Sequence, residues 1–186
     1  MTGRLALAIL LVTSTVVRAG HPSGKEKDWR TAEEAYANGK ADNADGYNLK
    51  DKHDKVAGAC GHDIAVKFDW GSIDMATWIE RNSNAHATPA GTCAANDQLT
   101  DLADGCADSF FSEHQHKVAK KIKTITCHYK SCAKLPDPPS GAKGSNLKAT
   151  EFQYKLTKGG TNLDNTFCEN TAHIGGSALR TFLKKQ

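Results

Sequence analysis

The chain has 186 residues, with 24 Lys and Arg against 21 Asp and Glu, a net charge of +3 with histidine neutral. That length buries one core, and so small a charge supplies no long-range field toward nucleic acid or an anionic membrane. Much of the excess lies at the N-terminus, where residues 1–19 hold Arg4 and Arg18 and no acid.

Met1-Thr2-Gly3-Arg4 makes a positive start, and Leu5 to Val17 is apolar apart from Thr13, Ser14 and Thr15. Val17-Arg18-Ala19 then offers a peptidase site, so residues 1–19 read as an export signal. The run falls short of the about 20 apolar residues of a membrane anchor. The expectation is a mature chain from near Gly20, secreted or periplasmic, without a membrane span once the signal is removed.

Residues 20–55 are rich in Lys, Asp, Asn, Gly and Ala, with Trp29, Tyr36 and Tyr47 as the aromatics. Such a segment offers little apolar surface against its ordering entropy, which predicts a polar, flexible arm. Asp42-Asn43-Ala44-Asp45-Gly46 is no calcium loop, because register on the glycine puts Ala41 and Lys52 where Asp and Glu are needed.

Residues 56–186 read as a single α+β domain. Ile64, Val66 and Phe68 alternate with polar neighbours, a half-buried strand over 62–70. Ile73, Trp78 and Ile79 suggest a short helix, with Trp70 and Trp78 in the core, and residues 81–92 a loop. Residues 93–105 read as a helix with Leu99, Leu102 and Ala103 on one side and an acidic, solvated stripe of Asp97, Asp101, Asp104 and Asp108. A second helix from Ser109 to Lys123 presents Phe111, Val118 and Ile122. Residues 123–130 favour a strand, 135–145 form a Pro- and Gly-rich loop, and 147–157 alternate again, completing an enlarged hairpin. From Thr161 onward the pattern reads as helix, with Leu163, Phe167, Leu179, Phe182 and Leu183. The predicted architecture is a small antiparallel sheet of about three strands, covered by helices on one face.

All six cysteines (Cys60, Cys93, Cys106, Cys127, Cys132 and Cys168) follow the signal. In an exported chain an even set implies structural disulfides, and 15 connectivities are open. A helix from 93 to 105 would hold Cys93 and Cys106 about 20 Å apart, too far to bridge.

The chain resembles a set of exported bacterial proteins of unknown function. The likeness runs from Cys60-Gly61 through Val66-Lys67-Phe68-Asp69-Trp70, Cys93 and Cys106, Ile122-Lys123-Thr124-Ile125-Thr126-Cys127, the Phe152-to-Leu156 strand and Phe182-Leu183-Lys184-Lys185. It implies shared architecture and export, and no activity. Cys132, Cys168 and the insertion at 136–144 depart from that pattern, which implies a Cys132–Cys168 pair. Of the two arrangements then left, Cys60–Cys93 with Cys106–Cys127 is preferred.

Familiar chemistry is hard to find. His114 and His116, two apart on a helix, face opposite sides, with His114 beside Phe111 as a partly buried ring. His128 and His173 meet other ligands only through tertiary folding, and no zinc-type Cys/His spacing occurs. Ser-x-x-Lys recurs at Ser131, Ser140 and Ser145 through composition alone, without partner motifs. Glu113 with Asp108, and Asp69 with Asp74, are the carboxylate pairs in reach. The expectation is a non-catalytic binding module, without cofactor or metal, that captures an unknown protein or surface ligand through the 136–144 loop or the arm from Trp29 to Tyr47. The alternative is an enzyme or metal-binding protein whose site is assembled from scattered His, Asp and Glu.

Overall fold

The computed structural model describes residues 24–42, 48–73, 88–93, 96–130, 152–167 and 178–186. The export signal, Trp78, Asp74, His173, the 136–144 loop and the Cys132–Cys168 pair lie outside these residues.

Helices α1 (Gly24–Ala37) and α2 (Lys50–Cys60) precede strand β1 (Ala65–Phe68). Two helices follow, α3 (Pro89–Cys93) and α4 (Asn96–Ala107), then α5 (Glu113–Ala119) and β2 (Thr124–Tyr129). Strands β3 (Gln153–Thr157) and β4 (Asn162–Phe167) flank a turn at Lys158–Gly160, and α6 (Ala178–Leu183) ends the chain.

The α+β class and the disulfide stapling match the expectation, whereas the sheet differs from it. Four strands form a mixed sheet in the order β1-β2-β4-β3, with β1, β2 and β4 parallel and only β3 antiparallel to its neighbour. The hairpin joins β3 to β4 rather than β2 to β3. Lys158, Gly159 and Gly160 all take positive φ there, at 51°, 69° and 88°, conformations glycine adopts without strain. Residues 162–167, expected as helix, alternate Leu163, Asn165 and Phe167 against Asn162, Asp164 and Thr166, which suits a strand with two different faces.

Of the polar segment 20–55, expected as a flexible arm, the described residues instead supply α1 and the start of α2, and Tyr36, Ala37 and Leu49 lie in the common core. A few well-placed apolar residues suffice because each helix needs one stripe and the rest faces water. The Asn38 side chain lies along the outer side of β1, its Nδ2 donating to the Val66 carbonyl and its Oδ1 accepting from the Val66 N–H, both at 2.9 Å. Trp29 is half-buried, edge-on to Trp70, which stacks on Phe68 and donates from Nε1 to Glu34 at 2.6 Å.

The expected helix from 93 begins later, and Cys93 closes the separate helix α3. Thr88-Pro89 starts α3 by local rules: proline needs no N–H in the first turn, and the Thr88 hydroxyl accepts from Gly91 at 2.9 Å. Buried Glu33 accepts the remaining donor, the Ala90 N–H, at 2.9 Å. Two disulfides close the described core, Cys60–Cys106 between α2 and α4 and Cys93–Cys127 between α3 and β2. The preferred Cys60–Cys93 and Cys106–Cys127 arrangement is thereby replaced by its alternative. Both links follow packing: α2 lies along α4, and α3 backs onto the apolar side of the sheet.

The acidic stripe of α4 is also corrected. Asp101 is 7% exposed and accepts the Arg180 N–H at 3.0 Å, satisfying a first-turn donor of α6. Asp104 and Asp108 bind the two ends of the Arg180 guanidinium at 3.0 and 2.7 Å. Asp101, Asp104 and Asp108 therefore form a track that seats the C-terminal helix. Gly105 stands beneath it, where a Cβ would come within 2.7 Å of Leu183 Cδ1.

Candidate functional site

The strand register sorts every side chain of the sheet onto one of two faces. Val66, Ile125, Leu163 and Leu156 form one apolar row, and Phe68, Cys127, Asn165 and Tyr154 form the next. Asn165, 0% exposed, donates from Nδ2 to the Cys93 carbonyl at 3.2 Å and faces Cys93 Sγ at 3.3 Å, so it secures the disulfide from behind. Tyr154 donates to Gln98, and burial pushes its phenol well above the usual range.

The opposite face is polar across all four strands. Lys67, Thr126, Asp164 and Lys155 form one row, and Ala65, Thr124, Asn162 and Thr157 another. His128, Thr166 and Gln153 make a third, which Asp69 extends because its N–H continues the ladder to the Cys127 carbonyl. Apart from buried Asn162, these side chains are half-exposed or exposed. The face is cross-linked by hydrogen bonds. Thr126 Oγ1 donates to Asn162 Oδ1 at 2.8 Å, and Asn162 Nδ2 donates to Asp164 at 2.6 Å and Thr157 at 3.0 Å. His128 sits between two carboxylates, with Nδ1 3.2 Å from Asp69 Oδ2 and Nε2 3.4 Å from Asp164 Oδ1.

This Asp69–His128–Asp164 line brings together Asp69 and His128, both candidates from sequence, with Asp164, which is not one. The carboxylates lie at opposite ring nitrogens, so they share no common point at which a cation would meet all three. Among the described residues no group of three or more His, Cys, Asp and Glu is arranged to hold a metal ion. The other pairings separate: Glu113 binds Lys117 at 2.7 Å while Asp108 binds Arg180. His114 is exposed, and His116, not His114, lies edge-on to Phe111. Asp164 and Asn162 were hidden in sequence by the helical reading of their segment. The alternation of Asn162, Asp164 and Thr166 just after Gly159-Gly160 is the signal that reveals them.

Comparison with protein-family models, with curated proteins and with solved structures finds no match to this chain. No helix of the described residues is long and apolar enough to cross a membrane.

Proposed function

We propose that the protein is an exported, non-catalytic binding module that recognises a protein or surface ligand through the polar face of its sheet. The observation that carries this reading is the three-row array of charged, imidazole, amide and hydroxyl side chains across four strands, interrupted only at Ala65. Recognition is strongest where side chains are positioned before the partner arrives. The hydrogen-bonded network from Thr157 to Asp69 supplies that order, and the Cys93–Cys127 disulfide backs its central strand. Alternating Lys67, Asp69, His128, Asp164 and Lys155 suit a polar, mixed-charge complement. Export rests on the N-terminal signal pattern and accords with disulfide bonding; kinship with the exported bacterial set is part of the same proposal.

Trp29 and Tyr36 pack against the rest of the fold, so the reading rests on the sheet face rather than on the arm from Trp29 to Tyr47, whose residues 43–47 lie outside the described ones. The test is capture of a partner from the exporting cells by wild type, by a Lys67→Glu/Lys155→Glu variant and by a Lys185→Glu control. The face variant should lose the captured partner at unchanged melting temperature while the control keeps it. Equal capture by all three would remove the sheet face from the reading.

The enzyme or metal-binding alternative draws on the same Asp69–His128–Asp164 line. There His128 faces a carboxylate at each ring nitrogen, Asp69 at Nδ1 and Asp164 at Nε2. Stoichiometric zinc or copper binding, or a hydrolytic activity that disappears in His128→Ala, would install that alternative instead.

A further inference from the structure

The two outer strands of the sheet end in different ways. At β1 the Asn38 amide binds both main-chain groups of Val66, and the Val66 and Phe68 side chains are buried. At β3 the direction of the main chain follows from the ladder. Thr124 and Lys130 donate to the carbonyls of Thr161 and Phe167, at the two ends of β4. The odd-numbered residues of β4 therefore turn their main chain to β2, and Asn162, Asp164 and Thr166 turn theirs to Thr157, Lys155 and Gln153 of β3. The N–H and C=O groups of Tyr154 and Leu156 point the other way, off the edge of the sheet. Among the described residues no hydrogen bond reaches them.

Cover is incomplete along the same edge. Phe152, Tyr154, Leu156 and, from α6, Phe182 pack against the core yet stay partly exposed, while Leu163 and Phe167 on β4 are fully buried. Phe152 stacks on Tyr154 with ring centroids 5.9 Å apart, and Tyr154 lies 5.5 Å from Phe182, so the aromatic row is fixed in place. On the polar side Lys155 is exposed, and Lys158 follows it in the turn, exposed as well. Neither forms an ion pair among the described residues. Asp164, opposite Lys155, receives Asn162 and faces His128 instead.

We propose that β3 takes up an extended segment of a partner protein as a further antiparallel strand, apolar on the side of Tyr154 and Leu156 and acidic on the side of Lys155. Strand addition of this kind draws affinity from main-chain hydrogen bonds and specificity from alternate side chains. In an antiparallel pair, directly opposed residues exchange both hydrogen bonds and share a face. The residues bonded to Tyr154 and Leu156 thus carry the apolar side chains and complete the cover of Phe152 and Phe182. Those between them lie beside Lys155, where a carboxylate supplies the partner charge that β4 does not. A second copy of the chain is a poorer complement, because its β3 brings Lys155 and no acid. The edge is a different surface from the polar face, and this inference stands or falls apart from recognition by that face.

The test uses the full chain with its disulfides intact and follows single backbone amides by NMR. In the free protein the Tyr154 and Leu156 amides should exchange with water faster than those of Lys155 and Thr157, which bond to β4. A short peptide alternating valine with glutamate should bind saturably and slow exchange at Tyr154 and Leu156 while leaving Val66 unchanged. It should bind at least about tenfold more tightly than a valine–lysine peptide of the same length, and Lys155→Glu should reverse that preference. N-methylation of the valine amides should abolish binding, whereas N-methylation of the glutamate amides should not. Slow exchange at Tyr154 and Leu156 in the free monomer would overturn the proposal, since the edge would already be taken. So would equal binding of the two peptides by wild type, or no protection at either amide with peptide in excess. A dimer in sedimentation that protects both amides without peptide would give the edge to a second copy and overturn the acidic segment.

Discussion

Gly105 and Glu33 show how single residues hold this fold together. At Gly105 three helices meet, and an added Cβ would sit 2.7 Å from Leu183 Cδ1 and 3.2 Å from the Ala119 Cβ. Gly105→Ala should therefore lower stability by about 1–3 kcal/mol, the usual cost of overfilling a packed contact. Urea unfolding reads this, and an unchanged midpoint would mean that α6 moves aside freely. Glu33 is buried while its carboxylate receives the Ala90 N–H, and desolvation outweighs that bond, so its acid is raised above the ordinary 4.5. A carboxyl raised in the folded state contributes stability that is present below its unfolded value and lost as pH rises through the folded one. Glu33→Gln keeps an acceptor without the charge. Its stability relative to wild type should climb with pH through that range and then level off; parallel curves would contradict the buried-charge account.

At the scale of elements, α6 depends on the acids of α4 more than on its own six residues. Arg180→Ala removes both guanidinium contacts, leaving Asp104 and Asp108 without that cation. Amide exchange in α6 should then accelerate well before exchange in the sheet, because α6 opens as a local unit. Asp108 adds an acid limb. The Phe110 N–H, and then Arg180, hold its carboxyl below the ordinary 3.8, so its contribution is present above that value and disappears as pH falls through the folded one. The legible elements share one property. In β1 and β2, and in β3 within 153–157, aromatic and branched residues alternate with polar ones, and the sequence pattern finds all three. Strand β4 escapes because Asn162, Asp164 and Asn165 are types that strands disfavour. Those residues are there for tertiary reasons, Asn165 behind a disulfide and Asn162 and Asp164 in the polar network, which a one-dimensional pattern does not carry. His128 and Asp69 were visible as candidates, but their meeting with Asp164 depends on a parallel β2–β4 pairing that no local signal announces.

For the whole molecule, the described disulfides close loops of 46 and 34 residues, each worth about 4 kcal/mol by the loop-entropy estimate. A Cys93→Ser/Cys127→Ser variant should lose stability of that order in guanidinium unfolding, and should keep its helical circular dichroism under native conditions if the apolar core shared by α2, α4, α6 and the sheet suffices for folding. A loss under about 1 kcal/mol would place the link in a region already ordered in the unfolded chain. The clasp between Asn38 and Val66 bears on how one molecule meets the next. An outermost strand with open N–H and C=O groups is a template on which another chain can add its own strand, and repetition of that step yields aggregates. By spending one amide side chain on both groups of Val66, the protein blunts the parallel end of its sheet as a seed for polymerisation, a safeguard that matters most where copies of the chain are crowded.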